Sequence, residues 1–126
     1  MLLALILWCT SLLAQPDWIH SYTQAREAAK NENKHIMIML SKEGCSACWY
    51  MENIVFEDDS TEELVMKNFV PVYIDIRKNS VPKEFAYIGT PTFYFLDKNG
   101  NKIAPRMDGA SNIKEFTSKI NEILLK

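Results

Sequence analysis

The sequence has few of the features that mark specialised protein classes. Its 126 residues include only three cysteines and two histidines, and 14 basic residues nearly balance 16 acidic ones. That balance argues against a nucleic-acid partner and against an acidic solvating tail. No internal repeat or low-complexity tract divides the chain. With 48% hydrophobic and 24% charged residues, the composition is that of one globular domain with its own core.

An uncharged apolar run occupies the N-terminus, in residues 1–14. It is shorter than the about 20 apolar residues that span a bilayer, and it is typical of a secretory signal that ends at Ala14. We therefore expect residues 1–14 to be a signal peptide, residues 15–126 to form the domain, and the protein to be exported, either to a periplasm or to the medium. The alternatives are a buried N-terminal helix and an uncleaved membrane anchor.

The three cysteines divide unevenly between these two parts. Cys9 lies in the signal-like segment, so Cys45 and Cys48 would remain as the pair of the mature chain. An even pair is expected of a protein that works outside the cytoplasm. Lipidation of Cys9 is an alternative, although Trp8 stands where lipoprotein signals carry a small residue.

The hydrophobic pattern predicts alternating helices and strands. Helices are expected over 17–32, 46–56 and 81–87. A further helix should begin at the capping box Ser60-Thr61-Glu62-Glu63, and the last helix should follow an N-cap at Ser111. Strands are expected over 35–40, 70–76, 93–96 and 101–106. Helical crossovers make the early strands parallel, and the Asn99-Gly100 turn makes the last pair antiparallel. The predicted fold is α/β, a mixed sheet of about four strands with helices on both faces.

The motif Cys45-Ser46-Ala47-Cys48 carries the strongest chemical signal. Trp49 follows it where a c-type haem attachment sequence has histidine. A structural zinc site needs four ligands, and the two histidines are far upstream without ligand spacing. A redox dithiol after a strand is therefore favoured, and the alternative is a module that handles copper or zinc with the same dithiol.

Helix geometry gives the two sulfurs different tasks. Cys45 should lie at a helix N-terminus, where free N–H groups stabilise the attacking thiolate. Cys48 lies one turn further on and should be the more buried, resolving thiol. Ser46 and Ala47 add no positive charge, which favours disulfide reduction or exchange over strong oxidation.

Two residues after the pair are further candidates. Glu52 follows Cys48 by four residues, so it shares a helical face with both cysteines. Burial there would raise its pKa and let it carry the Cys48 proton, whereas on the helix flank it would be a solvated charge. Trp49 either contacts substrate peptides from an exposed position or packs against the loop after residue 56.

Together these motifs resemble the thioredoxin family, over about residues 18–126. The resemblance depends on the Cys45–Cys48 motif after a strand, on Gly89-Thr90-Pro91-Thr92 before the strand 93–96, and on the Asn99-Gly100 hairpin. Within the family, the stretch from Cys45 to Glu52 is most similar to exported proteins related to the C-terminal domain of the transmembrane reductase DsbD. Those relatives carry a glutamate that matches Glu52.

The resemblance implies a thioredoxin fold and a thiol–disulfide oxidoreductase of exported proteins, recharged by a membrane-bound or soluble thiol donor. It implies that Pro91 is a cis-proline and that Thr90 presents its backbone to the substrate. One departure is Met39, because many members have a buried aspartate six residues before the first cysteine.

Four further expectations follow for the mature domain. It should need no organic cofactor beyond the Cys45–Cys48 disulfide, and it should act as a monomer. It should bind no nucleic acid and remain free of stable membrane insertion after signal cleavage. The remaining alternative is a thioredoxin-like folding helper that performs no redox chemistry.

Overall fold

The computed structural model describes residues 18–126, so the expected signal peptide, with Cys9, lies outside the described residues. The helices are α1 (Tyr22–Glu32), α2 (Ser46–Tyr50), α3 (Asp59–Asn68) and α4 (Ile113–Leu124), and a π-helical turn (Met51–Val55) continues α2. The strands are β1 (His35–Ser41), β2 (Phe69–Asp75), β3 (Thr92–Leu96) and β4 (Met107–Asp108).

The four strands form one mixed sheet in the order β2-β1-β3-β4. Strand β1 pairs in parallel with β2 and antiparallel with β3, and β4 pairs antiparallel with β3. This confirms the predicted α/β class, the four-stranded mixed sheet and the parallel pairing of the first two strands. Strand β1 is central, and its carboxyl end leads directly to the two cysteines.

The sheet separates two apolar clusters, because alternate side chains of each strand face opposite sides. Met37 and Met39 of β1 face the cluster that contains Cys48 and the apolar residues of α3 and α4. Ile36, Ile38 and Leu40 face the other cluster, with residues of α1. The cysteine pair therefore lies over the face that α4 also covers.

The first helix begins later than the predicted range 17–32. Ile19 instead extends along β2, where its N–H donates to the Pro71 carbonyl at 3.0 Å and its carbonyl accepts from the Tyr73 N–H at 2.9 Å. Ser21 then caps α1 by accepting from the Gln24 N–H. The backbone N–H and carbonyl of Ile19 are thus bonded to the edge strand β2 and are not available for hydrogen bonds within a longer helix.

Both predicted N-caps, Ser60 and Ser111, are wrong. Asp58 caps α3 by accepting from the Thr61 N–H, and Asn112 caps α4 by accepting from the Glu115 N–H. Within the described range, no helix forms over 81–87, where Phe85 is buried inside an irregular loop. The predicted strand 101–106 is reduced to a bridge between Leu96 and Lys102, followed by the two-residue strand β4.

Candidate active site

A sharp turn joins β1 to the cysteine pair. Gly44 has a φ of 79°, a conformation that residues with a Cβ rarely adopt, and it brings the chain back over the sheet. Cys45 follows with extended backbone angles and serves as the N-cap of α2. The first cysteine is therefore placed at a helix N-terminus, where unpaired N–H groups favour negative charge.

Cys45 and Cys48 form a disulfide, with their Cα atoms 5.2 Å apart. The Cys48 N–H donates to Cys45 Sγ at 3.2 Å. Cys48 is only 1% exposed, whereas Cys45 is half-buried and lines an open cavity. A partner molecule can therefore approach the Cys45 sulfur and is kept from the Cys48 sulfur.

The segment Gly89–Thr92 lies against the exposed sulfur. The Thr90 hydroxyl donates to Cys45 Sγ at 3.3 Å, and the Thr90 carbonyl oxygen lies 3.5 Å from the same atom. The Thr90–Pro91 peptide bond is cis. Pro91 is held by its carbonyl, which accepts from the Gly109 N–H at 2.8 Å. The sequence candidates Cys45, Thr90 and Pro91, although separated by 45 residues, thus meet at one point.

Glu52 lies in the π-helical turn and lines the same cavity as Cys45 and Trp49. This cavity has a volume of about 630 Å³. Partial burial raises the pKa of the Glu52 carboxyl, and a hydrogen-bonding contact with Tyr73 lowers it in part. The carboxyl group is therefore not the freely solvated charge of the alternative interpretation.

Two large apolar side chains are exposed on the two segments that carry the cysteine pair and Thr90. Trp49 is 58% exposed, which agrees with the substrate-contact interpretation and not with packing of the whole ring against the following loop. Ile88 is 84% exposed and lies two residues before Thr90. The sequence reasoning missed Ile88, because an isoleucine in a chain of this composition is expected to be buried.

The loop that carries Ile88 is anchored although it has no regular structure. The buried Phe85 ring packs in the core, and the Ala86 carbonyl accepts from Arg106 Nη1 at 3.1 Å and from the Tyr94 hydroxyl. Lys102 Nζ donates to the Glu84 carbonyl at 2.9 Å. These contacts fix the segment that leads to Ile88 and Thr90.

A module that handles a metal would need ligands beside the two cysteines. Among residues 18–126, no group of three or more His, Cys, Asp or Glu is arranged to hold a metal ion. Met37, Met39 and Met51 are buried members of the core cluster. None of the helices in this range combines the length and apolar character that a membrane span requires.

A family model described as a thioredoxin-like domain matches residues 22–124. The thiol:disulfide interchange protein DsbD of Haemophilus ducreyi is 28% identical over 128 aligned residues. That alignment includes 90% of this chain and 22% of DsbD, so the chain spans about a fifth of that relative.

Two solved structures have the same fold. A thioredoxin from Thermus thermophilus has a TM-score of 0.75 at 21% identity, over 89% of this chain and 90% of that protein. The oxidised C-terminal domain of Neisseria meningitidis DsbD has a TM-score of 0.68 at 17% identity, over 84% and 98%.

Proposed function

The chain belongs to the thioredoxin-like domain family and is a thiol–disulfide oxidoreductase, and from this premise we propose that it reduces or exchanges disulfide bonds in exported proteins. The observation that carries the proposal is the Cys45–Cys48 disulfide at a helix N-terminus, with the Thr90 hydroxyl 3.3 Å from its exposed sulfur. Export is supported by the signal-like sequence of residues 1–14 and by the similarity to DsbD.

In the first step, the Cys45 thiolate attacks one sulfur of the substrate disulfide. A mixed disulfide forms, and the second substrate sulfur leaves as a thiolate that takes a proton from water. In the disulfide form Cys45 Sγ accepts hydrogen bonds from the Cys48 N–H and the Thr90 hydroxyl, and the same two donors would face the thiolate of the reduced pair. Donors of this kind stabilise the charged nucleophile.

In the second step, Cys48 resolves the mixed disulfide. Its thiol loses a proton to the Glu52 carboxylate, and the resulting thiolate attacks Cys45 Sγ. The bond between Cys45 and the substrate breaks, and the substrate leaves with both of its sulfurs reduced. Two electrons have passed from the two cysteines to the substrate, so no organic cofactor is needed.

We assign substrate docking to Thr90, Pro91 and Trp49, with Ile88 as an added contact. The Thr90 carbonyl lies 3.5 Å from Cys45 Sγ, where a substrate segment can pair with this backbone as a strand would. Trp49 lines the cavity of Cys45, and Ile88 is exposed two residues before Thr90, so both offer apolar surface on the segments that meet at the cysteine pair. This favours disulfide-bonded polypeptides with an apolar segment next to the cysteine.

We further propose that the direction is reduction, with a thiol donor in the membrane or in solution, and that the domain acts as a monomer in the periplasm or outside the cell. Ser46 and Ala47 place no cation beside the thiolate. Strong oxidants stabilise that thiolate heavily, and this motif offers no charged group for the purpose.

Turnover of a disulfide-bonded peptide hormone such as insulin tests the activity. The wild-type chain should reduce it in the presence of a thiol donor, and Cys45→Ser should lose all turnover. Cys48→Ser should instead accumulate a mixed disulfide that identifies the natural substrates. Ser118→Ala, which removes an exposed hydroxyl on α4, is the control and should keep full activity. Insulin reduction that survives Cys45→Ser would contradict the mechanism, whereas a wild-type chain that aids folding but reduces no disulfide would be the folding helper.

A further inference from the structure

The segment Gly89–Thr92 reaches the cysteine pair with little regular structure of its own. Only its last residue, Thr92, belongs to a strand, and Gly89 is exposed together with the two residues before it. The Thr92 hydroxyl donates to the Gly89 carbonyl at 2.8 Å, a hydrogen bond that lies within the segment. The position of the Thr90 hydroxyl beside Cys45 Sγ therefore depends on contacts made on either side of the segment.

One side chain, that of Arg106, connects the two sides. Its Nη1 donates at 3.1 Å to the carbonyl of Ala86, four residues before Thr90. Its Nε forms an ion pair with Asp108 Oδ1 at 3.0 Å. A guanidinium group carries several N–H donors in one plane, so it can bond a carbonyl and a carboxylate at the same time. Arg106 therefore joins the loop before Thr90 to strand β4.

Strand β4 contacts the segment from its other side. Asp108 pairs in register with Thr92, and the N–H of the next residue, Gly109, donates to the Pro91 carbonyl at 2.8 Å. Because β4 has only two residues, few backbone hydrogen bonds fix it to β3. The ion pair of Asp108 with Arg106 thus adds a side-chain contact at the place where the backbone pairing is short.

The ion pair of Arg106 and Asp108 is partly shielded from water. Its side chains are 30% and 42% exposed, which makes it the least exposed of the three ion pairs between residues 18–126. Fully exposed pairs contribute little, because water and salt screen them. A shielded pair that shares its guanidinium with a second acceptor is better able to fix the geometry of the two segments it joins.

We propose that Arg106 is a positioning residue of the active site, which keeps the Thr90 hydroxyl and carbonyl beside Cys45 Sγ by joining the Ala86 carbonyl to Asp108. The proposal rests on the proposed function and concerns its first step. Arg106 acts through Thr90 and exchanges neither protons nor electrons with the substrate. In the reduced pair, the Thr90 hydroxyl held in this way donates to the Cys45 thiolate.

Arg106→Met removes both contacts and keeps a long unbranched side chain. The Thr90 hydroxyl should then be less well placed, and the Cys45 thiolate of reduced protein should be harder to form. The rate of Cys45 alkylation by iodoacetamide, located by fragment mass spectrometry, follows the thiolate as pH rises. This rise should move to higher pH, with about two- to fivefold less thiolate below the midpoint, which is at most the effect of losing one hydrogen bond.

Arg77→Met is the matched control for the loss of an arginine. Arg77 is exposed, and its side chain forms none of the ion pairs between residues 18–126. At an ionic strength of about 0.15 M, charges further apart than about 8 Å are largely screened. The alkylation profile of Arg77→Met should therefore match that of the wild type.

The loss of a positive charge would also disfavour a thiolate, and a double variant separates this effect from positioning. If Arg106 acts through the Thr90 hydroxyl, Arg106→Met should add no shift in a Thr90→Val background. Full additivity of the two shifts would show a through-space effect of charge and overturn the proposal. The acidic and basic side chains that line the Cys45 cavity are the same in all variants, namely His20, Lys42, Glu43, Glu52, Asp75 and Lys78.

Asp108→Asn tests the same connection from its other end, and it serves also where Arg106→Met does not fold. Asparagine keeps the size of the side chain and removes its charge, so the shift should have the same direction and be smaller. Melting temperatures of the reduced proteins are measured alongside. If both variants melt at lower temperature but alkylate Cys45 with the wild-type pH dependence, Arg106 has a merely structural role and the proposal is overturned.

Insulin reduction separates this proposal from the proposed function. Arg106→Met should raise KM for insulin, because the Thr90 backbone is less well placed for a substrate segment, and Arg77→Met should leave KM unchanged. If the wild type reduces no insulin while Arg106→Met shifts the alkylation profile, the positioning role stands and the proposed function fails. If the wild type reduces insulin and Arg106→Met leaves the profile unshifted, the proposed function stands and the positioning role is overturned.

Discussion

At the residue scale, the reactivity of Cys45 depends on few contacts. Its sulfur accepts from the Cys48 N–H at 3.2 Å and from the Thr90 hydroxyl at 3.3 Å. The first donor belongs to the backbone and is part of the helix N-terminus. The second donor is a side chain that a substitution can remove, so its contribution to the stability of the thiolate can be measured.

Thr90→Val should make the Cys45 thiolate harder to form. Valine keeps the shape of threonine and lacks the hydroxyl donor, and one such hydrogen bond contributes about 1 kcal/mol, or about fivefold in thiolate population. The ultraviolet absorbance of the thiolate, followed against pH, should therefore rise at higher pH than in the wild type. Thr117→Val removes a hydroxyl that bonds within α4 and should leave the titration unchanged.

Ile88→Ser should weaken the binding of polypeptide substrates and leave the chemistry of the cysteines intact. The side chain is 84% exposed, so its loss should cost the folded state little, while KM for insulin should rise with kcat nearly unchanged. Leu125→Ser is the matched control, since Leu125 is 88% exposed and follows α4 outside the Cys45 cavity. Equal effects of the two substitutions would show that Ile88 has no role in docking.

Spacing along one helix identified part of this site and could not identify the rest. Cys45, Cys48 and Glu52 lie within eight residues, so helical periodicity relates them directly. Tyr73 reaches the same cavity from a neighbouring strand, and strand register is set by pairing that one sequence does not reveal. Ile88 is exposed because long-range contacts fix its loop.

At the element scale, the helix α3 depends on a cap that the sequence pattern misplaced. The motif Ser60-Thr61-Glu62-Glu63 fits a capping box, but Asp58, two residues earlier, satisfies the same pattern of short polar side chains. Its carboxylate accepts from the Thr61 N–H at 3.0 Å and from the Ser60 and Thr61 hydroxyls. A carboxylate at a helix N-terminus also benefits from the helix dipole.

Asp58→Ala should therefore destabilise the domain more than Ser60→Ala. The Ser60 hydroxyl, then the contacts from Thr61, hold the pKa of Asp58 below its ordinary value of 3.8. A lowered carboxyl pKa contributes stability that is present above the unfolded-state value and is lost as pH falls through the folded-state value. The difference in Tm between wild type and Asp58→Ala should thus be largest near neutral pH and should shrink in acid. A larger loss in Ser60→Ala would restore the predicted cap.

The elements that were predicted well are those whose partners are local or whose burial is complete. The run 35–40 is apolar on both faces and forms the central strand β1. The segment 81–87 has residues compatible with a helix, yet its carbonyls bond to Lys102, Arg106 and Tyr94. Such long-range donors compete with helical N–H groups for these carbonyls and leave no local signal in the sequence.

At the scale of the whole molecule, the redox state of the cysteine pair is coupled to the stability of the fold. Cys48 belongs to the core cluster that also includes Met39 and Phe116. The two cysteines lie at the start of α2, whose buried side packs against that cluster. Folding and disulfide formation therefore form one thermodynamic cycle. A fold that favours the disulfide has a low reduction potential, and one that favours the dithiol is an oxidant.

The proposed reductive direction accordingly predicts that the oxidised protein is at least as stable as the reduced protein. For a two-electron couple, about 1.4 kcal/mol corresponds to about 30 mV, so the difference in unfolding free energy converts directly into the shift in potential between the folded and unfolded chain. Urea unfolding of both forms measures it, and the Cys45→Ser/Cys48→Ser variant, which should be insensitive to reductant, is the control. A reduced form that is clearly more stable than the oxidised form would mean that the fold favours the thiols, and the chain would then act as an oxidant of its partners.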